Sequence, residues 1–234
     1  MGGWGVASLA VVALSGCDYF WHLDHVDLDP DAVGAVDADL RPPPLCTSVV
    51  IDDTFMQTTV NPCGMWGQHY SNANANITQG GGHLRIEPTA DDANAGCDAT
   101  LLPLADGGVI VHVTQVIPGD DAYTSVQLNM TTNVTITING DTLWFEDGDA
   151  TNRWADTPYV ASEMGWLRLR PLRRPDAIIA EYSKDSLEWH ELGTLPMAVP
   201  TNVLPSIVAG VNKGAPTVTG MSDFAEFIVC RTQP

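Results

Sequence analysis

Cationic side chains are scarce in this chain: ten Lys plus Arg stand against 29 Asp plus Glu, for a formal net charge of −19. So thin a basic complement cannot neutralise a run of phosphates, which excludes nucleic acid as a partner. The acidic surface favours solubility and contact with cations instead. Helical periodicity is missing as well, because no stretch keeps apolar residues on a 3.6-residue repeat over three turns. Common catalytic signatures are also absent: there is no Gly-x-Ser-x-Gly turn, no His-Glu-x-x-His helix and no phosphate-cradling glycine loop. What remains is a chain with 44% hydrophobic and 17% charged residues, 21 Gly and 16 Pro. That composition, with many Thr and Val, favours short strands joined by turns around a real core. A length of 234 residues suits one large domain plus a tail.

The cysteines fall at 17, 46, 63, 97 and 230. Four of them suffice for two disulfides if the protein leaves the cytosol, and the fifth then needs its own explanation. Gly2 to Gly16 carries no charge, and its apolar core Val6 to Leu14 is too short to span a ~30 Å hydrocarbon layer. Residues 1–16 therefore read as a removable export signal. Leu14-Ser15-Gly16-Cys17 resembles the lipobox of bacterial lipoproteins, which implies lipidation of the Cys17 thiol and anchoring to the periplasmic or cell-surface face of a membrane. The leader Met1 to Gly5 departs from that pattern in having no Lys or Arg.

Residues 17–44 hold seven aspartates before Arg41 and end in Pro42-Pro43-Pro44. Like charges at that density resist compaction and the prolines are stiff, so the segment reads as a spacer. His22, Asp24, His25, Asp27, Asp29 and Asp31 include metal-ligating types, but nothing scaffolds them into a fixed geometry.

Residues 45–234 form the expected folded domain. Period-two alternation marks strands at Ser48–Ile51, His83–Glu87, Val109–Val116, Ser125–Met130 and Val134–Ile138. Further strands are expected at Asp141–Phe145, Trp166–Arg170, Ala177–Tyr182, Leu187–Leu192, Ser206–Val211 and Phe224–Cys230. Asn139-Gly140 predicts a type I′ hairpin turn. Many short strands with polar turns predict an all-β, antiparallel two-sheet sandwich.

Ile51-Asp52-Asp53-Thr54-Phe55, Trp66 and Gly82-His83-Leu84-Arg85-Ile86 resemble the opening strands of concanavalin A-like lectin/glucanase (laminin-G-like) jelly rolls. Ala177 to Leu192 is similar to a hairpin of that superfamily, and Asp223 to Phe227 to its closing strand, although Asp185-Ser186 stands where Asp-Gly is usual. The resemblance implies first and last strands side by side, and hence a Cys46–Cys230 bridge with Cys63–Cys97 as the other pair. It also raises glycoside hydrolysis, but the superfamily's strand bearing two carboxylates on one face has no counterpart. Glu181 and Glu188 flank a turn, and Glu146-Asp147-Gly148-Asp149 reads as a loop. A non-enzymatic module is therefore expected, binding glycan or another surface ligand, with a structural or adhesion role toward an envelope protein as the alternative and a degenerate hydrolase as a remote one.

Trp154 is the candidate exposed stacking platform, with Tyr159 near it, while Trp144, Trp166 and Trp189 are expected in the core. Arg168 and Arg170 share a strand face, followed by Arg173 and Arg174, and mark either an anionic ligand site or a face that balances neighbouring acids. Asp147, Asp149 and Thr151 have the 1, 3, 5 spacing of a calcium loop, but Pro158 stands where the closing glutamate belongs. A surface turn is the favoured reading there, and structural calcium the alternative. His69, His83, His112 and His190 lack ligand spacing and are expected to be satisfied individually.

Overall fold

A computed structural model describes residues 46, 48–148, 153–173, 176–215 and 219–231. The export signal, Cys17, the spacer, the His/Asp cluster, Asp149, Thr151 and Arg174 lie outside the described residues. The described chain has fifteen strands and no helix: β1 (Val49–Asp53), β2 (Gly67–Ser71), β3 (Ala75–Gly80), β4 (His83–Pro88), β5 (Ala93–Ala99), β6 (Leu104–Gln115), β7 (Ala122–Asn129), β8 (Val134–Asn139), β9 (Thr142–Asp147), β10 (Arg153–Pro158), β11 (Trp166–Arg173), β12 (Asp176–Ser183), β13 (His190–Pro196), β14 (Leu204–Val211) and β15 (Ser222–Arg231).

The strands form two antiparallel sheets. One runs β13-β12-β11-β6-β15-β4-β3, with β1 added against β15, and the other runs β10-β9-β8-β7-β14-β5-β2. Alternation in each strand sends one set of side chains between the sheets. Leu143 and Phe145 from β9, Leu167 and Leu169 from β11, and Phe224 and Phe227 from β15 meet there, all fully buried. β15 is the hinge of the topology. Its first half pairs with β4, its second half with β1, and β6 runs along its other side.

That arrangement brings the two ends of the domain together. Val49 lies opposite Cys230, and Cys46 is bonded to Cys230 across a sequence separation of 184. Cys63 is bonded to Cys97, which ties the loop before β2 to the middle of β5. The Asp53 and Trp66 of the opening motif also have a physical role. Asp53 accepts hydrogen bonds from the Phe55 amide and the Trp66 indole, both at 2.7 Å, and Trp66 packs on Phe227 with ring centroids 4.6 Å apart. The motif locks the first strand to the last.

Four strands, β2, β3, β5 and β10, go beyond the sequence expectation. β5 reads Ala-Asn-Ala-Gly-Cys-Asp-Ala, a composition of low strand propensity that holds because β14 and β2 pair with it on both sides. Three local expectations are corrected. The β8–β9 hairpin closes on Gly140-Asp141, with Asn139 opposite Thr142; only Gly140 has a positive φ, 57°, so the turn is the II′ type rather than I′. The strand expected from Leu187 begins at His190, because Asp185 accepts from the Leu187 and Glu188 amides and extends the turn. Ser186 takes the left-handed φ of 64° where the superfamily's glycine would stand. Glu146 and Asp147, read as loop, belong to β9.

Candidate functional site

β9 shows how the outer face of the seven-stranded sheet is built. Leu143 and Phe145 turn to the core, so strand parity turns Trp144 and Glu146 outward. Register then lays rows of side chains across the sheet. Glu146 lies opposite Thr135, Thr135 opposite Gln127, Gln127 opposite Ser206, and Ser206 opposite Asp98. The neighbouring row runs from Trp144 through Thr137, Ser125, Val208 and Gly96 to Tyr70. Except for Gln127, small side chains pave the middle of both rows. Larger ones stand at the sides.

Two polar networks fix this floor. Ser125 and Thr137 share a 2.9 Å hydrogen bond, and the Thr137 hydroxyl points to Glu146 at 3.5 Å. Farther along, Asn129 donates to Ser206 and Ser206 donates to Asp98, each at 2.6 Å. Ser125, Ser206, Thr135 and Thr137 are all buried on a face that does not look into the core. The hydrogen bonds of Ser125, Thr137 and Ser206 are what make their burial tolerable.

Two tyrosines border the floor on glycine seats. A Cβ at Gly96 would lie 2.8 Å from the Tyr70 hydroxyl, and one at Gly210 would lie 2.4 Å from the Tyr123 hydroxyl. Only glycine lets these phenols settle onto β5 and β14. Burial, then the charge of Asp98 and the Tyr123 phenol, push the Tyr70 phenol far up. Burial and Asp92 push Tyr123 up to about 12.

On the other side, the Arg153 guanidinium lies 3.3 Å from the centroid of the Trp144 ring. Burial raises the Glu146 carboxyl above its ordinary range, opposed in part by the charge of Arg153 and the Thr137 hydroxyl. Trp144 Nε1 and Glu146 Oε2 are buried atoms without a hydrogen-bond partner. Asp156 on β10 lies opposite Trp144, which makes it a diagonal neighbour of Glu146 at about 7–8 Å between Cα atoms. Asp98, four strands away, is about 19 Å from Glu146 at the usual strand spacing.

The residues singled out from sequence fall in different places. Trp154, 50% exposed, is the extra residue of a β-bulge in edge strand β10, beside Arg153 at the rim of this face. Tyr159 packs against the core, and burial raises its phenol. Arg168 and Arg170 lie on the other sheet and converge on buried Glu181: Arg168 Nε is 2.7 Å and Arg170 Nε 3.1 Å from the same carboxylate oxygen. Arg168 also stacks on Trp189 at 4.1 Å, so both arginines balance an acid and the four residues do not form one site. Of the three tryptophans expected in the core, Trp144 stands half-buried outside it because Leu143 and Phe145 take the inward positions of β9, whereas Trp166 and Trp189 are half-buried against a second, smaller core cluster of Cys46, Ile110, Ile228 and Cys230. Asp147 ends β9 with one buried oxygen unpartnered, and no group of three potential metal ligands occurs among the described residues. Each of the four described histidines has a separate neighbour: His69 has Asn61, His83 has Asp223, His112 stacks on Trp166 and His190 tilts against Tyr182.

No known family profile matches the chain, and no curated protein sequence does. Solved structures do resemble it. LamA from Z. galactanivorans, in complex with laminaritriose and laminaritetraose, aligns with a TM-score of 0.56 at 11% identity, over 79% of this chain and 99% of that one. The laminarinase of Rhodothermus marinus aligns at 0.55 and 13% identity, over 79% and 97%. The β-glucanase of Bacillus licheniformis aligns at 0.52 and 12% identity, over 79% and 99%. The chain shares their fold, a two-sheet antiparallel jelly roll. At these identities the likeness is one of fold, and the two disulfides occur as that resemblance implied.

Proposed function

We propose that the protein is an exported, lipid-anchored glycan-binding module that holds its ligand on the outer face of the seven-stranded sheet. The observation that carries this reading is the face itself. Serines, threonines and glycines are buried on the side of a sheet that turns away from the core, flanked by Tyr70, Tyr123 and Trp144, with polar atoms left over for a ligand. Sugars are recognised in this manner, by aromatic rings against the apolar faces of pyranoses and by side-chain hydrogen bonds to hydroxyls. LamA, which shares the fold, was solved with laminari-oligosaccharides bound. Lipidation of Cys17 and the acidic spacer 17–44 would hold the domain away from a membrane, and the disulfides suit an exported protein.

A glycan array probed with the full chain tests the binding. Retention of an oligosaccharide that is weakened at least tenfold by Trp144→Ala supports the reading. Silence across neutral and acidic glycans favours the adhesion role toward an envelope protein. The mass of the mature protein in the membrane fraction tests the anchor, and an unmodified Cys17 there refutes it. The diagonal placement of Glu146, with its raised carboxyl, and Asp156 favours a second reading as a glycoside hydrolase. Release of reducing sugar that is abolished by Glu146→Gln would establish that reading.

A further inference from the structure

The two unpartnered atoms beside Arg153 restrict what the face can hold. Trp144 Nε1 can only donate a hydrogen bond, and an ionised Glu146 Oε2 can only accept one. They project from the same face of β9, two residues apart, about 7 Å along the strand. An ammonium satisfies Glu146 and leaves the indole N–H unpaired. A carboxylate or sulfate satisfies the indole and is repelled by Glu146. A hydroxyl both donates and accepts, so a pair of hydroxyls on adjacent ring carbons, which together reach across that span, satisfies both atoms. Leaving either buried atom unpaired is costly, and that asymmetry gives a polar site its selectivity.

Resting on the glycan reading, we propose that Trp144 and Glu146 form a hydroxyl-reading pair that selects uncharged oligosaccharides over uronate- or sulfate-bearing and amine-bearing ones. Against uronate and sulfate the surroundings point the same way. Asp98, Asp156 and Glu146 line the outward rows, and Arg153 is the cation beside them. Arg153 itself covers Trp144, with its guanidinium on the ring face where a pyranose would stack. Its side chain is exposed and held at the edge of the sheet. Arg153 is therefore a displaceable cap: the ligand moves it aside, gains the indole face and reaches the two polar atoms.

Binding of the full chain to three probe sets tests the pair. The sets are neutral gluco- and galacto-oligosaccharides, glucosamine oligomers and galacturonate oligomers. The expected result is binding of neutral oligosaccharides that Trp144→Phe, which keeps a ring but loses the N–H, and Glu146→Gln each weaken by about tenfold. Arg153→Ala, a substitution at an exposed position, is expected to bind the same oligosaccharides severalfold more tightly. Thermal melts of the variants separate lost binding from lost folding, and the Arg153 result stands even where a β9 variant unfolds. Preference for the galacturonate or glucosamine set overturns the pair while the glycan reading survives. Neutral binding indifferent to both β9 substitutions, or lost in Arg153→Ala, also overturns it. Silence on all three sets refutes the glycan reading itself.

Discussion

Glu181 is one carboxylate serving two guanidiniums. Burial alone would raise its carboxyl, but hydrogen bonds from Arg170 and Arg168, reinforced by their charges, outweigh burial and hold it below the usual range. A carboxyl whose folded value is depressed contributes stability above its unfolded pKa, about 4.3, and loses it as pH falls through the folded value. Glu181→Gln is therefore expected to cost about 3 kcal/mol near neutral pH, because two partly buried arginines lose their counter-charge. The difference from wild type should shrink as the pH is lowered below 4.3. Urea unfolding of both proteins across that range checks this, and a constant gap between them would mean that Glu181 acts through packing rather than charge. The same residue explains why sequence leaves Arg168 and Arg170 open between a ligand site and a face that balances acids. Their spacing reveals a shared strand face, but the acid that neutralises them comes from the next strand, eleven to thirteen residues away.

At the scale of elements, strands were legible where alternation carried apolar side chains and opaque where it carried small or polar ones. β9, β11 and β15 announce themselves through Leu, Phe and Val. β5 does not, because Ala, Gly and Asn carry a strand signal only once β14 and β2 flank them. Gly96 and Asp98 on β5 and Tyr70 on β2 stand on such strands and carry no strand signal in sequence, whereas Glu146 reads as loop because the polar run Glu146-Asp147-Gly148-Asp149 ends an otherwise legible strand. The one signal that pointed there was glycine inside strands, at Gly96 and Gly210. Gly210 carries the clearest prediction. A Cβ there would lie 2.1 Å from the Ala93 carbonyl oxygen and 2.4 Å from the Tyr123 hydroxyl, and both cannot yield at once. Gly210→Ala is expected to destabilise by about 2–3 kcal/mol, at the upper end of overpacking. It should also lift Tyr123 off β14, so that its phenol titrates below the value of about 12 set by burial and Asp92. Ultraviolet titration of the tyrosines alongside a thermal melt checks both. A destabilised variant with an unmoved phenol would show that the strand, not the tyrosine, gave way.

The whole molecule is closed by two bridges of different reach. Cys46–Cys230 joins residues 184 apart and staples the strand pair that begins and ends the domain, whereas Cys63–Cys97 spans 34 residues within one half of it. The pairing followed from the resemblance in sequence because it depends on topology alone, the adjacency of first and last strands. If disulfides act by restricting the unfolded chain, stabilisation grows with the logarithm of loop length, giving roughly 5 kcal/mol for the long bridge and roughly 4 for the short one. Removing the long bridge with paired Cys→Ala substitutions is therefore expected to lower stability by slightly more than removing the short one, as measured by urea unfolding. The alternative is local. Cys63 and Cys97 are both fully buried among the core side chains, while Cys46 retains some exposure, so a cavity cost falls more heavily on the short bridge. A larger loss on removing Cys63–Cys97 would mean that packing around β5, rather than chain entropy, sets what each bridge contributes, and β5 is the strand that carries Gly96 and Asp98 beneath the candidate site.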